Sequence, residues 1–165
     1  MNLRRLLKHL TIPDWFARRQ ISAADLAAVT TTIAASEARH RGELRFVLEG
    51  SLPLDVLRHG QSARQRAIQL FSELRVWDTA DNSGVLIYVQ LIDRRVEILA
   101  DRGINAKVAQ SEWDAICREM EVSFGAGHWR SGAVSAIERA GDLLGQHFPA
   151  NELNPNELPD SPLVI

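Results

Sequence analysis

The sequence predicts an α/β protein, a three-layer α/β/α sandwich around a small mixed sheet. Three observations predict it. Residues 84–91, GVLIYVQL, are almost wholly apolar, as a strand covered on both faces must be. Residues 43–49, ELRFVLE, alternate Leu44, Phe46 and Leu48 against polar neighbours, which is strand periodicity with one better-buried face. Segments of helical period stand before, between and after these strands.

Taken in order, residues 1–20 form a basic amphipathic segment. Leu3, Leu6, Leu7 and Leu10 share one helical face, Trp15 and Phe16 follow, and Pro13 interrupts the run. The main domain spans residues 21–148. Ser22 opens its first helix with Ser-Ala-Ala-Asp, a capping-box pattern, and Leu26, Val29 and Ile33 carry the apolar stripe to about residue 40. Gly42 ends it and the strand 43–49 follows. Pro53 and Gly60 punctuate a connection, and residues 62–76 return to helical spacing through Ala67, Leu70, Phe71 and Leu74. Strand 84–91 leads through Asp-Arg-Arg into strand 95–100. Two helices close the domain. Residues 111–124 start at a Ser-Glu-Trp-Asp cap, and residues 130–148 carry Gly141 within the apolar stripe, a sign of close packing. Residues 149–165, with three prolines after the first, read as an extended or disordered tail.

Because a helix joins the first two strands, they should be parallel through a right-handed crossover. The last two should form an antiparallel hairpin, with the apolar strand 84–91 in the middle. A hairpin centred near Asp93 sets Asp101 opposite Val85. Glu43, Asp78, Asp81, Asn82 and Asp101 then gather on one rim of the sheet. Carboxylates, an amide and loop carbonyls suit a hard cation such as Ca²⁺. Asp and Asn before glycine are equally ordinary turn formers, and the spacing is not that of an EF-hand.

The totals set bounds. A chain of 165 residues is one domain in the simplest reading, and a net charge of -2 gives no global field toward nucleic acid. One cysteine, Cys117, excludes an internal disulfide and suits a reducing compartment, hence an expected cytoplasmic location. No apolar run reaches the roughly 18 residues that span a bilayer. The N-terminal segment is locally basic. Arg4, Arg5, Lys8 and Trp15 are candidate contacts to a partner or, peripherally, to the inner membrane surface.

The run DNSGVLIYVQLIDRRVEILADRGI resembles the central signature of the TPM domain family, through Asp81, Asn82, Gly84, Val85, Leu86, Asp93, Arg94, Arg95, Asp101 and Gly103. The later FGAGHWRSGAVSAI is similar to the family's segment before its last helix, through Phe124, Gly127 and Gly132. The family includes a thylakoid acid phosphatase, a photosystem II repair protein and bacterial membrane-anchored relatives. The chain looks closest to a short bacterial subgroup with neither signal peptide nor anchor. The resemblance implies an α/β/α sandwich and, in some members, calcium binding or weak phosphatase activity. It also implies work beside a LemA-type membrane protein. One departure is the segment TIPDWFARRQIS, which stands where members place a strand ending in aspartate.

Catalytic signals are sparse. Cys117 sits on an apolar helical stripe, and neither an Asp-x-Asp motif nor a Gly-x-Ser-x-Gly elbow is present. His128 and Arg130 lie in GAGHWRSG, which opens a helix and offers N–H groups to an anion or serves as a simple helix–helix turn. The reading is a non-catalytic binding or scaffold module. The alternative is a weak metal-assisted phosphatase at the Asp81/Asp101 rim.

Overall fold

The computed structural model describes residues 3–151 and 155–165, so two residues of the N-terminal segment and three of the tail lie outside the described residues. The elements in order are α1 (Leu3–Thr11), α2 (Asp14–Arg18), α3 (Ala23–Glu37), β1 (Glu43–Glu49), α4 (Leu54–Arg58), α5 (Ala63–Glu73), β2 (Gly84–Gln90), β3 (Arg95–Ala100), α6 (Arg102–Asn105), α7 (Gln110–Gly125), α8 (Trp129–His147) and β4 (Leu163–Val164). The sheet order is β3-β2-β1-β4. β1 pairs parallel with β2, Glu43 opposite Gly84, and β2 pairs antiparallel with β3. All seven residues of β2 are buried, and its one polar side chain, Gln90, donates to Gly50 O. All seven residues of β1 are buried too, so the expected single better-buried face of 43–49 is corrected, its charged residues being held by partners rather than by water.

On one face, Leu44, Phe46, Val85, Ile87 and Ile98 meet the apolar stripes of α3, α7 and α8. On the other, Val47, Leu86, Tyr88 and Leu99 meet Ala67 and Leu70 of α5 and Leu158 of the C-terminal segment. At roughly 1.5–3 kcal/mol for each large apolar side chain buried, these two cores are the main stabilising term. Gly141 lets α8 approach α3. A Cβ there would meet Ser36 Oγ at 1.8 Å, and Ser36 in turn bonds His40 Nε2 at 3.0 Å.

Four further expectations are corrected. The hairpin register is one residue tighter than a turn centred on Asp93 gives. Val85 faces Ala100, and the Asp101 N–H donates to Gly84 O at 2.8 Å. The turn occupies residues 91–94 and closes on Arg94 at φ 55°, a left-handed position that shortens the connection. The helix expected at a Ser111 cap starts earlier, at Gln110, with Ala109 as an N-cap that makes no side-chain bond. The connection 50–62 contains the short helix α4, and residues 102–105 form α6, whose N-cap is Asp101. The C-terminal segment, expected to be extended or disordered, places Leu163 and Val164 parallel to Val47 and Leu48 as an edge strand. There it covers part of an edge that β1 would otherwise leave open.

α1 is docked rather than free. His9 is 4% exposed, its Nδ1 accepts from the Leu52 N–H at 3.1 Å, and its Nε2 lies 3.2 Å from Asp93 Oδ1. Arg5 Nε donates to Asp93 Oδ2 at 2.8 Å, and Lys8 Nζ donates to Ile92 O. Burial alone would raise the Asp93 carboxyl, but the bonds from His9 and Arg5 outweigh it and hold Asp93 below its ordinary value.

Candidate functional site: the acidic rim

The amino ends of β1 and β2 share a rim with the end of β3, so the 78–83 loop and Asp101 meet there. The meeting is tight. The N–H groups of Gly103 and Ile104 both donate to Asn82 O, and a Cβ on Gly103 would stand 2.5 Å from the carbonyl oxygens of both Asp81 and Asn82. Asn82 itself takes φ 52°, a left-handed conformation that asparagine tolerates better than most residues.

Each expected ligand has a definite neighbour. Asp81 Oδ2 pairs with Arg41 at 2.9 Å, both groups about one-third exposed. Asn82 Oδ1 accepts from Arg102 Nε at 2.9 Å. Asp101 Oδ1 accepts from the Arg102 N–H at 2.7 Å, which caps α6, while Asp101 Oδ2 is buried and has no hydrogen-bond partner among the described residues. Asp78 is exposed on the turn before, its N–H bonded to Arg75 O. Glu43 is 3% exposed and turns to the C-terminal segment, where its Oε2 accepts from the Leu158 N–H at 3.0 Å. Desolvation pushes the Glu43 carboxyl up to about 7, against the lowering bonds from Glu157 and Leu158. The rim thus unites Asp81, Asn82 and Asp101, and leaves Glu43 in a separate clasp. Among the described residues, no three His, Cys, Asp or Glu side chains converge as a ready metal cage.

The fit to Ca²⁺, which the resemblance implies, rests on the orphaned Asp101 oxygen. A carboxylate oxygen shut from water without a donor is costly, and a cation relieves that cost. Asp101, Asp81 and the Asn82 side-chain carbonyl are the groups that would hold it. Arg41 and Arg102 occupy two of them and must yield. These two arginines were missed in the sequence because their partners lie 40 and 20 residues away along the chain.

The second candidate, His128 with Arg130, lies at the N-terminus of α8. His128 is exposed, and its carbonyl accepts from the Gly132 N–H. Arg130 Nε is held by Asp25 Oδ1 at 2.7 Å, and Asp25 also completes the Ser22 capping box. Arg5 and Lys8 are spent on docking α1. Arg4 is exposed, as are Trp15 at 71% and the Leu3, Leu7 and Leu10 stripe. No described helix is long and apolar enough to cross a membrane. Cys117 is half-buried against the core, and burial pushes its thiol up to about 12, far from a reactive thiolate.

The TPM domain matches residues 18–143 of this chain. The NMR structure of BA42 from the psychrophilic bacterium Bizionia argentinensis is 31% identical. It superposes with a TM-score of 0.74 over 87% of this chain and 94% of that one. No curated protein compared with the chain matches it. The family match takes in β1, β2 and β3, the 78–83 loop, Asp101 and most of α8, so the chain belongs to the TPM domain family.

Proposed function

We propose that this protein is a non-catalytic TPM-domain binding module whose rim takes a divalent cation, Ca²⁺ by preference, through Asp101, Asp81 and Asn82. The observation that carries the reading is the buried, unpartnered Asp101 Oδ2 beside the Asp81–Asn82 turn. The two arginines on the rim make the site weak, in the millimolar class of loop calcium sites. They also couple binding to motion, because Arg41 and Arg102 leave when the ion arrives. Such a site suits a module that changes its surface charge with calcium and then meets a membrane-associated partner, a LemA-type protein, on the cytoplasmic face. The exposed stripe Leu3, Leu7 and Leu10 with Trp15 and Arg4 is the contact face for that meeting. Binding is favoured over phosphomonoester hydrolysis because Asp81 is engaged by Arg41 and the Ser83 hydroxyl of the same loop is bonded to the Arg41 carbonyl rather than to a carboxylate that could activate it.

A thermal melt with and without 10 mM Ca²⁺ tests the reading. A dissociation constant of about 1 mM stabilises the native state by about 1.4 kcal/mol, or ~3 °C for a domain of this size. Asp101→Asn should abolish the shift. No shift in the wild type, or an equal shift in the variant, overturns it.

A further inference from the structure

The opposite rim, at the carboxyl ends of β1 and β2, holds a cleft of about 440 Å³ roofed by α1 and α2 and floored by the β2–β3 turn and the end of α7. In open α/β sheets, ligands settle at the carboxyl ends of parallel strands, and this volume is within the range of small-molecule sites. We propose that the cleft binds an organic anion with an apolar acyl body, of the medium-chain carboxylate class.

Two features of the lining define the ligand. Ile12, Phe16, Phe124 and Trp129 supply apolar walls, and Trp129 stacks on Phe124 with ring centroids 5.3 Å apart. Lys8, Arg19, Arg94 and Arg95 line the same space against a single carboxylate, Glu121. That carboxylate is already spent, since its Oε1 accepts from the Val96 N–H at 3.0 Å and its Oε2 lies 3.6 Å from Arg95. Arg19 rests over the Phe16 ring at 3.8 Å. Arg94 is exposed and, among the described residues, makes no hydrogen bond or ion pair. Its left-handed φ of 55° is a conformation that an arginine side chain does nothing to favour. An independent sign is the indole N–H of Trp129. The residue lines the cleft and is 6% exposed, and its Nε1 is buried with no partner among the described residues, a donor left unsatisfied at the edge of a cationic cleft.

The test uses the full chain, titrated with decanoate below its micellar range and followed by the indole N–H resonances in ¹H–¹⁵N spectra, with Trp129→Phe giving the assignment. Decanoate should move the Trp129 signal saturably. Trp113, whose buried N–H is also unpartnered among the described residues but which lies outside the cleft, is the internal control. Arg94→Asn, which tolerates the left-handed backbone, should weaken binding about tenfold, one charge-assisted hydrogen bond. Arg94→Lys should retain it. Phe16→Ser, at a site already 39% exposed, should weaken it to a similar degree. Asp101→Asn should leave it unchanged, which separates this cleft from the cation rim. A still Trp129 signal, equal binding of decyltrimethylammonium, equal binding of inorganic phosphate, or indifference to Arg94→Asn each overturns the proposal.

Discussion

Replacing Glu37 by glutamine should make the protein more stable in mild alkali and remove the Glu37 share of its pH dependence, leaving the smaller share of Glu43. Glu37 ends α3 and is 8% exposed, and its Oε1 accepts from the Leu44 N–H at 2.8 Å where β4 does not reach the β1 edge. Desolvation, opposed by the Leu44 bond and reinforced by Glu43 and Asp160, pushes its carboxyl from the ordinary 4.5 up to about 8. Between those values the folded chain holds a proton that the unfolded chain releases, so stability falls as pH rises from about 4.5 to about 8. The full difference corresponds to ~5 kcal/mol as an upper bound. Relaxation and water entry at the edge of the sheet reduce it to ~2–3 kcal/mol. Glutamine keeps an acceptor for Leu44 and offers a donor toward Asp160. Urea unfolding at pH 4.5 and pH 8.5 should therefore show Glu37→Gln nearly equal to the wild type at the lower pH. At the higher pH it should be more stable by ~2–3 kcal/mol, or ~5–10 °C in melting temperature. A variant with the wild-type slope between these pH values refutes the argument.

Four further outcomes follow from the same structure. Below pH 6.5 a second group acts in the opposite sense to Glu37. Burial lowers the His40 imidazole to about 4 between Ser36 and Gly42, so its own contribution to stability should fall as pH drops from 6.5 to 4, read in the Glu37→Gln variant by the same urea series. Arg66→Met should cost ~3–5 kcal/mol in urea unfolding, because it strands Glu49, which accepts from Arg66 at 2.7 Å and from Tyr88 at 2.5 Å inside the core. Adding Glu49→Gln to that variant should recover part of the loss. Gly84→Ala should destabilise by ~2–4 kcal/mol by thermal melting, since its Cβ would fall 1.9 Å from the Val76 carbonyl oxygen. Leu7→Ser with Trp15→Ser, both exposed, should leave the melting temperature unchanged yet abolish co-sedimentation with anionic vesicles if the N-terminal face docks on lipid; equal sedimentation of variant and wild type removes that contact.

The strands β1, β2 and β3 were legible because a period of two and a run of seven buried residues are local signals. The Ser22 capping box was legible for the same reason, with every partner within three residues. The one-residue slip at Asp101 arose at a turn whose length depends on Arg94 taking φ 55°, which no property of arginine announces. β4 escaped because two residues after a proline-rich stretch carry no periodicity, and their pairing lies more than 110 positions back at Val47 and Leu48. The docking of α1 escaped likewise, since Arg5 and His9 meet Asp93 across 88 and 84 residues.

The candidate site was half legible for a deeper reason. A sequence shows that acids are present but not how much water each keeps, and burial decides what a carboxylate does. Asp25 and Asp101 cap helices, Asp93 anchors α1, and Glu37 and Glu43 replace missing backbone partners along the edge of β1. Among the described residues, Asp101 is the one carboxylate with an oxygen that remains buried and has nothing donated to it. The count of acids near the rim therefore says little about a cation, whereas one unsatisfied atom among well-satisfied neighbours says a good deal. The same reasoning turns attention from the acidic rim to the basic cleft. There the unsatisfied group is a donor, the Trp129 N–H, and the surrounding charge has the opposite sign. One end of the parallel strands thus holds a buried oxygen that lacks a donor and the other a basic cleft beside a buried nitrogen that lacks an acceptor, among the described residues, and the two proposals built on them can be tested by independent titrations.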